Sequence, residues 1–105
     1  MPSYVIVWEF QVKSGQEENF ENIYGEDGSW SELFRNSTNY QGTKLIKDIG
    51  QSARYVTLDH WTSEFDFERF RKENKDAYEK IDKSCESMTD SETLIGKFYM
   101  LGPNS

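Results

Sequence analysis

The chain has 105 residues, a formal net charge of −7, 35% hydrophobic residues and 15% aromatic residues. An acidic chain repels phosphate backbones, and no basic patch with interleaved aromatics offsets this, so a nucleic-acid partner is not expected. No apolar run approaches the roughly 20 residues that span a bilayer, and the N-terminal MPSYVIVWEFQV lacks the positive region of a signal peptide. The single cysteine, Cys85, cannot form an internal disulfide and suits a reducing compartment. The expectation is one cytoplasmic domain over residues 1–105, without a membrane partner, whose core draws on 7 Phe, 6 Tyr and 3 Trp.

Tyr4 to Lys13 reads as the first strand. Tyr4, Ile6, Trp8, Phe10 and Val12 share one parity, and Val5 and Val7 make the first half of the other parity apolar as well. Such a strand is expected where both faces of a sheet are covered. Ser14 with Glu17, and Ser29 with Glu32, stand at capping-box spacing. They predict helix at about residues 15–24 and 30–36, as one bent helix or two short ones, interrupted by Gly25–Gly28. Asn36–Gly42 is expected as a loop, and Thr43–Ile49 as a charge-diluted edge strand. The short Gly50–Ala53 connection predicts an antiparallel hairpin into a third strand, Arg54–Trp61.

That third strand runs straight into a helix from Ser63 to about Ser87, with Asp66 placed to complete a cap. Phe67, Phe70, Ala77, Tyr78, Ile81, Cys85 and Met88 form its apolar stripe, and a slip in the pattern near Glu73–Asp76 is read as a bend. Thr89–Ser91 is expected as a turn, Glu92–Leu101 as the fourth strand with a bulge or close backbone approach at Gly96, and Gly102–Ser105 as a frayed tail. The order β-α-β-β-α-β is the split βαβ arrangement of an α+β, ferredoxin-like fold, with strands one and three central and both helices on one face. Apolar residues on both faces of the central strands leave one face uncovered. A second copy of the sheet would cover it, so the expected assembly is a homodimer closing into a dimeric α+β barrel.

The segments YVIVWEFQVKSGQEENFE, GSWSELF, YQGTKLIKD, RYVTLDHWTSEFDFERF and SETLIGKFY, in this order and spacing, resemble the antibiotic biosynthesis monooxygenase domain family of small dimeric α+β barrels. The resemblance covers about Tyr4 to Leu101 and is carried most strongly by the strand–Trp–Ser corner around Trp61. For some members it implies oxygenation of an aromatic or quinol substrate by dioxygen without metal, flavin or haem. Related haem-degrading barrels resemble the same corner but use an Asn on strand one and a Trp and a ligating His on the second helix. Here Trp8 and Glu9 occupy the strand-one region, Phe70 stands where the Trp would fall, and that helix has no His. Haem, metal and nucleotide cofactors are therefore not expected.

The chemistry then asks for a dry aromatic pocket, a base and oriented polar groups. Trp8, Tyr24, Trp30, Phe34, Tyr55 and Trp61 are the candidate walls, with Trp30, just after the glycine break, the preferred one. His60 and Asp59 are the candidate catalytic pair, and Arg35 and Arg54 are further polar groups. Each has a plainer reading: His60 as a solvated strand-end residue, Asp59 as half of an ion pair, Trp61 as core, Arg54 as the surface start of a strand. Two functions follow. One is a cofactor-independent monooxygenase acting on a small aromatic. The other is a non-catalytic dimer that binds a hydrophobic small molecule or has only a structural role.

Overall fold

The structure, a computed structural model, describes residues 2–101. The tail expected at Gly102–Ser105 lies outside the described residues. The elements run β1 (Tyr4–Val12), α1 (Glu17–Tyr24), α2 (Ser29–Phe34), β2 (Tyr40–Lys47), β3 (Arg54–Trp61), α3 (Glu64–Glu73), α4 (Lys75–Cys85), a 3₁₀ turn (Glu86–Met88) and β4 (Thr89–Tyr99). The strands form one antiparallel sheet in the order β2-β3-β1-β4. The two apolar strands, β1 and β3, are therefore central, as their composition requires. This is the α+β, ferredoxin-like arrangement.

Strand alternation sends Tyr4, Ile6, Phe10, Val12, Tyr55 and Trp61 to one face, where Phe20, Tyr24, Trp30, Phe34, Phe67, Phe70, Cys85 and Met88 from the helical segments pack on them. The core is largely a network of rings. Phe20 lies 4.2 Å from Tyr24 and 5.1 Å from Phe10 between centroids, and Trp61 lies 5.2–5.3 Å from Phe34, Tyr40, Phe67 and Phe70. Each such pair adds about 0.5–1.5 kcal/mol beyond the area it buries. The opposite parity of β1 and β3 carries Val5, Val7, Val56 and Leu58, and no helical segment packs on that face among the described residues. Phe98 and Ile46, about half exposed, extend it onto both edge strands.

The Ser63 cap forms as expected: its Oγ accepts from the Asp66 N–H at 3.0 Å and donates to the Asp66 carboxylate at 2.9 Å. The other two expected capping boxes do not form. Gly15 turns the chain with φ +87, so Gln16 rather than Ser14 caps α1, and no side chain caps it. At α2 the cap is Gly28, where a Cβ would stand 2.2 Å from the Ile23 carbonyl oxygen. Close packing of α2 onto the end of α1 thus replaces side-chain capping.

Three boundaries also differ. β2 starts at Tyr40 because a bulge between Tyr40 and Gly42, with Gly42 at φ +117, interrupts the alternation that would have marked it. β4 starts at Thr89, where a polar edge strand needs no apolar pattern. The long helix is two, and the bend read at Glu73–Asp76 is a full break at Asn74, whose side-chain amide and backbone N–H both donate to the Phe70 carbonyl at 2.9 Å. The break re-phases α4, so Tyr78, Ile81 and Cys85 turn inward while Ala77 is exposed, against expectation. Gly96 fulfils its expected role: the register shifts beside it, and the Phe98 ring lies over it, 2.9 Å from where a Cβ would stand.

Candidate functional site

Between the covered face of the sheet and the helices lies a cavity of about 140 Å³. Its walls are rings: Trp8 and Phe10 from β1, Tyr24 from α1, Trp30 and Phe34 from α2, and Tyr78 from α4. Its floor is polar, made by Thr43 of β2 with Thr57 and Asp59 of β3. Exposed Arg71, Asp82 and Glu92 stand at its margin. The Trp30 Nε1–H is buried without an acceptor among the described residues and is a spare donor at this wall.

Asp59 is the chemically distinctive group. Thr43, its register partner across the hairpin, donates its hydroxyl to Asp59 Oδ1 at 2.6 Å. That bond favours the carboxylate, yet burial outweighs it and pushes the pKa from 3.8 up to about 6. No ion pair with Asp59 forms among the described residues, so the expected Arg or Lys partner is replaced by the Thr43 hydroxyl. Tyr78 reports the same local charge. Its phenol is pushed up to about 12, first by burial, and Asp59, Asp82 and Glu92 add to this while Arg71, 5.3 Å from its ring, opposes it. Burial, with Asp82 and Glu86 nearby, also raises Glu92. Buried Tyr24 is raised by desolvation and by Cys85 beside it.

Of the residues singled out in the sequence, the cavity gathers Trp8, Tyr24, Trp30, Phe34 and Asp59. Tyr55 and Trp61 do not line it. Tyr55 is fully buried behind it, donating to Glu21 at 2.5 Å, and Trp61 is the centre of the neighbouring ring cluster. His60 alternates to the other side of β3 from Asp59. It lines a separate polar cleft at the β2 edge with Arg35, Tyr40, Thr43, Glu26 and Asp27. Arg35 is held there by the Glu26 carbonyl at 2.5 Å and the Asp27 carboxylate at 2.9 Å. Arg54 is tied on the open face to Glu9 and to Asp48, the latter at 2.9 Å.

Sequence reasoning missed Thr43, Thr57, Tyr40 and Tyr78. For Thr43 the sequence came within one residue, since counting back across the short Gly50–Ala53 connection pairs it with His60, whereas the observed turn is one residue longer and pairs it with Asp59. No signal existed for Tyr40, which reads as loop.

An antiparallel α+β sheet with an aromatic cavity over one face defines the class of protein. The family model for antibiotic biosynthesis monooxygenase matches residues 3–81, and the chain belongs to that family. Solved structures share the fold at low identity. SnoaB, a cofactor-independent oxygenase from Streptomyces nogalater, superposes with a TM-score of 0.77 at 16% identity over 98% of this chain and 97% of that one. A putative antibiotic biosynthesis monooxygenase from Bordetella bronchiseptica gives 0.77 at 16% identity over 96% and 99%. PA3566 from Pseudomonas aeruginosa gives 0.69 at 14% identity over 97% of each chain. No curated protein matches the chain. Among the described residues no three or more His, Cys, Asp or Glu converge to hold a metal ion, and no helix is long and apolar enough to cross a membrane.

Proposed function

We propose that the protein is a cofactor-independent oxygenase that takes a small aromatic or quinol-type substrate into the cavity beside Trp30, with Asp59 as general base. The observation that carries this reading is the desolvated Asp59 carboxyl on the floor of a ring-walled cavity, in a chain of this family. A base whose pKa lies near the working pH combines the right protonation state with useful driving force. Asp59 removes a proton from the substrate. The electron-rich anion passes one electron to dioxygen, and the resulting radical and superoxide combine as a peroxide. Loss of water, with Asp59 returning a proton, leaves the carbonyl product. One oxygen atom enters the substrate and the other leaves as water.

The rings exclude bulk water and hold the substrate plane, while the hydroxyls of Thr43 and Thr57 orient its oxygens. Three carboxylates, those of Asp59, Asp82 and Glu92, against the single guanidinium of Arg71 favour a neutral substrate over one carrying its own carboxylate.

Oxygen consumption with substituted hydroquinones and naphthols, in chelator-treated buffer without added cofactor, tests the reading. Turnover that falls roughly 10²–10⁴-fold in Asp59→Asn supports it. Undiminished turnover in that variant removes Asp59 from the mechanism. Saturable binding of the same compounds without oxygen uptake favours the non-catalytic, ligand-binding alternative.

The working unit we propose is a homodimer joined through the uncovered sheet face. Half-exposed Ile46 and Phe98, with partly exposed Val7, Val56 and Leu58 between them on that face, support the reading, because a contiguous apolar patch across a sheet is costly in water. Light scattering coupled to size exclusion checks it, and a monomer at micromolar concentration would exclude it.

A further inference from the structure

A line of hydroxyls runs away from the cavity floor. Thr43 Oγ1 lies 2.6 Å from Asp59 Oδ1, Tyr40 Oη is hydrogen-bonded to Thr43 Oγ1, and Tyr40 Oη lies 3.2 Å from Ser31 Oγ. Ser31 in turn donates to the Gly25 carbonyl at 3.1 Å. Thr43 lines the cavity on one side and the polar cleft at the β2 edge on the other, and Tyr40 lines the cleft. The bulge between Tyr40 and Gly42 brings this about, because it keeps Tyr40 and Thr43 on the covered face although only two residues separate them and simple alternation would put them on opposite faces.

We propose that Thr43 and Tyr40 form a proton relay joining the Asp59 carboxyl to the polar cleft at the β2 edge. The proposal rests on the reading of Asp59 as the base of the cavity. Each hydroxyl has one hydrogen to give and lone pairs to accept another, so the line has two self-consistent polarities. With Asp59 ionised, Tyr40 donates to Thr43 and Thr43 donates to the carboxylate. With Asp59 protonated, Asp59 donates to Thr43, Thr43 to Tyr40, and Tyr40 to Ser31.

A proton taken up by Asp59 leaves by one set of hops. The Asp59 O–H breaks as a new one forms on Thr43, the Thr43 proton moves to Tyr40, and the Tyr40 O–H, turned from buried Ser31 toward the cleft that Tyr40 lines, gives its own proton to a water there. One proton is displaced and nothing is oxidised or reduced. The route matters because an aromatic ligand filling a cavity of about 140 Å³ blocks direct exchange of Asp59 with solvent. Thr43 and Tyr40 are positioning residues here, since both act through Asp59.

The test needs no substrate. The carboxyl ¹³Cγ of Asp59 and the ring ¹³Cζ of Tyr40 are followed by NMR from pH 4 to pH 9. Other titratable groups face the line: Arg71, Tyr78, Asp82 and Glu92 from the cavity, and Glu26, Asp27, Arg35, Lys44 and His60 from the cleft. The measurement therefore uses a His60→Gln background and an Asp59→Asn control. The expected result is an inflection at Tyr40 coincident with the Asp59 midpoint near about 6. It is lost in Asp59→Asn and in Thr43→Val, and restored in Thr43→Ser. A flat Tyr40 signal in the parent protein overturns the relay without recourse to any variant at Thr43. So does a Tyr40 inflection that persists in folded Thr43→Val while Asp59 still titrates. Because oxygen uptake is not measured, failure here is separate from failure of the oxygenase reading.

Discussion

On the covered face of the sheet the chain packs rings, while on the other face β1 and β3 present Val5, Val7, Val56 and Leu58. Flat rings meet at tilted and edge-on angles and close over the polar floor with space left between them. Small branched side chains instead make an even surface suited to another sheet. The same strands therefore carry a void on one side and, on the other, the face through which we propose the dimer forms. Polar groups follow this division. Asp59 is desolvated and bonded to a hydroxyl, whereas Arg54, Glu9 and Asp48 pair on the open side.

Substitutions on the two faces should differ accordingly. The largest effect is expected on the covered face at Trp61, which is fully buried among four rings. Trp61→Ala should lose about 3–5 kcal/mol in denaturant unfolding, a cost that leaves little folded protein. A loss near 1 kcal/mol would mean that the ring cluster collapses readily around the gap.

Next comes Asp59. Its folded pKa is raised, so the folded state binds this proton more tightly than the unfolded chain does. The protonated form is accommodated below pH 4. Stability is lost as pH rises from the unfolded value of 3.8 through about 6, to a total of roughly 2–3 kcal/mol. Asp59→Asn should accordingly stabilise the protein by about that much at pH 8 and hardly at all at pH 4. Thermal unfolding at the two pH values reads the difference. An equal effect at both would show that the carboxylate is well solvated.

Ser63→Ala removes the cap at the β3–α3 corner and should cost about 1 kcal/mol by the same unfolding measurement. On the open face, Phe98→Lys should change subunit unfolding by no more than about 0.5 kcal/mol, since the ring is half exposed. In the proposed dimer the same change puts a charge into the interface and should shift the light-scattering mass to that of a monomer. A dimer of undiminished affinity in Phe98→Lys would place the interface elsewhere.

Much of the fold was legible because it depends on local periodicity. The apolar parity of β1 and β3, the Ser63 cap and the element order lead to the four-stranded antiparallel sheet without further information. The misread boundaries occur where a glycine or an asparagine substitutes backbone geometry for a side-chain pattern. Gly15 and Gly28 displace the expected caps, Gly42 hides the start of β2, and Asn74 divides the long helix.

The candidate site was legible as a set of residue types and less so as an arrangement. Asp59 and His60 are neighbours in sequence, but strand alternation sends them to opposite sides, and only Asp59 reaches the cavity. By itself the amino-acid sequence determined the element order, the two apolar faces and the supply of rings, since each is a matter of periodicity and composition. The tertiary structure alone decided which rings enclose a void, that burial raises Asp59, and that Thr43 and Tyr40 line up behind it. Those outcomes depend on cross-strand register and one bulge, which join residues far apart in the chain at distances of a hydrogen bond.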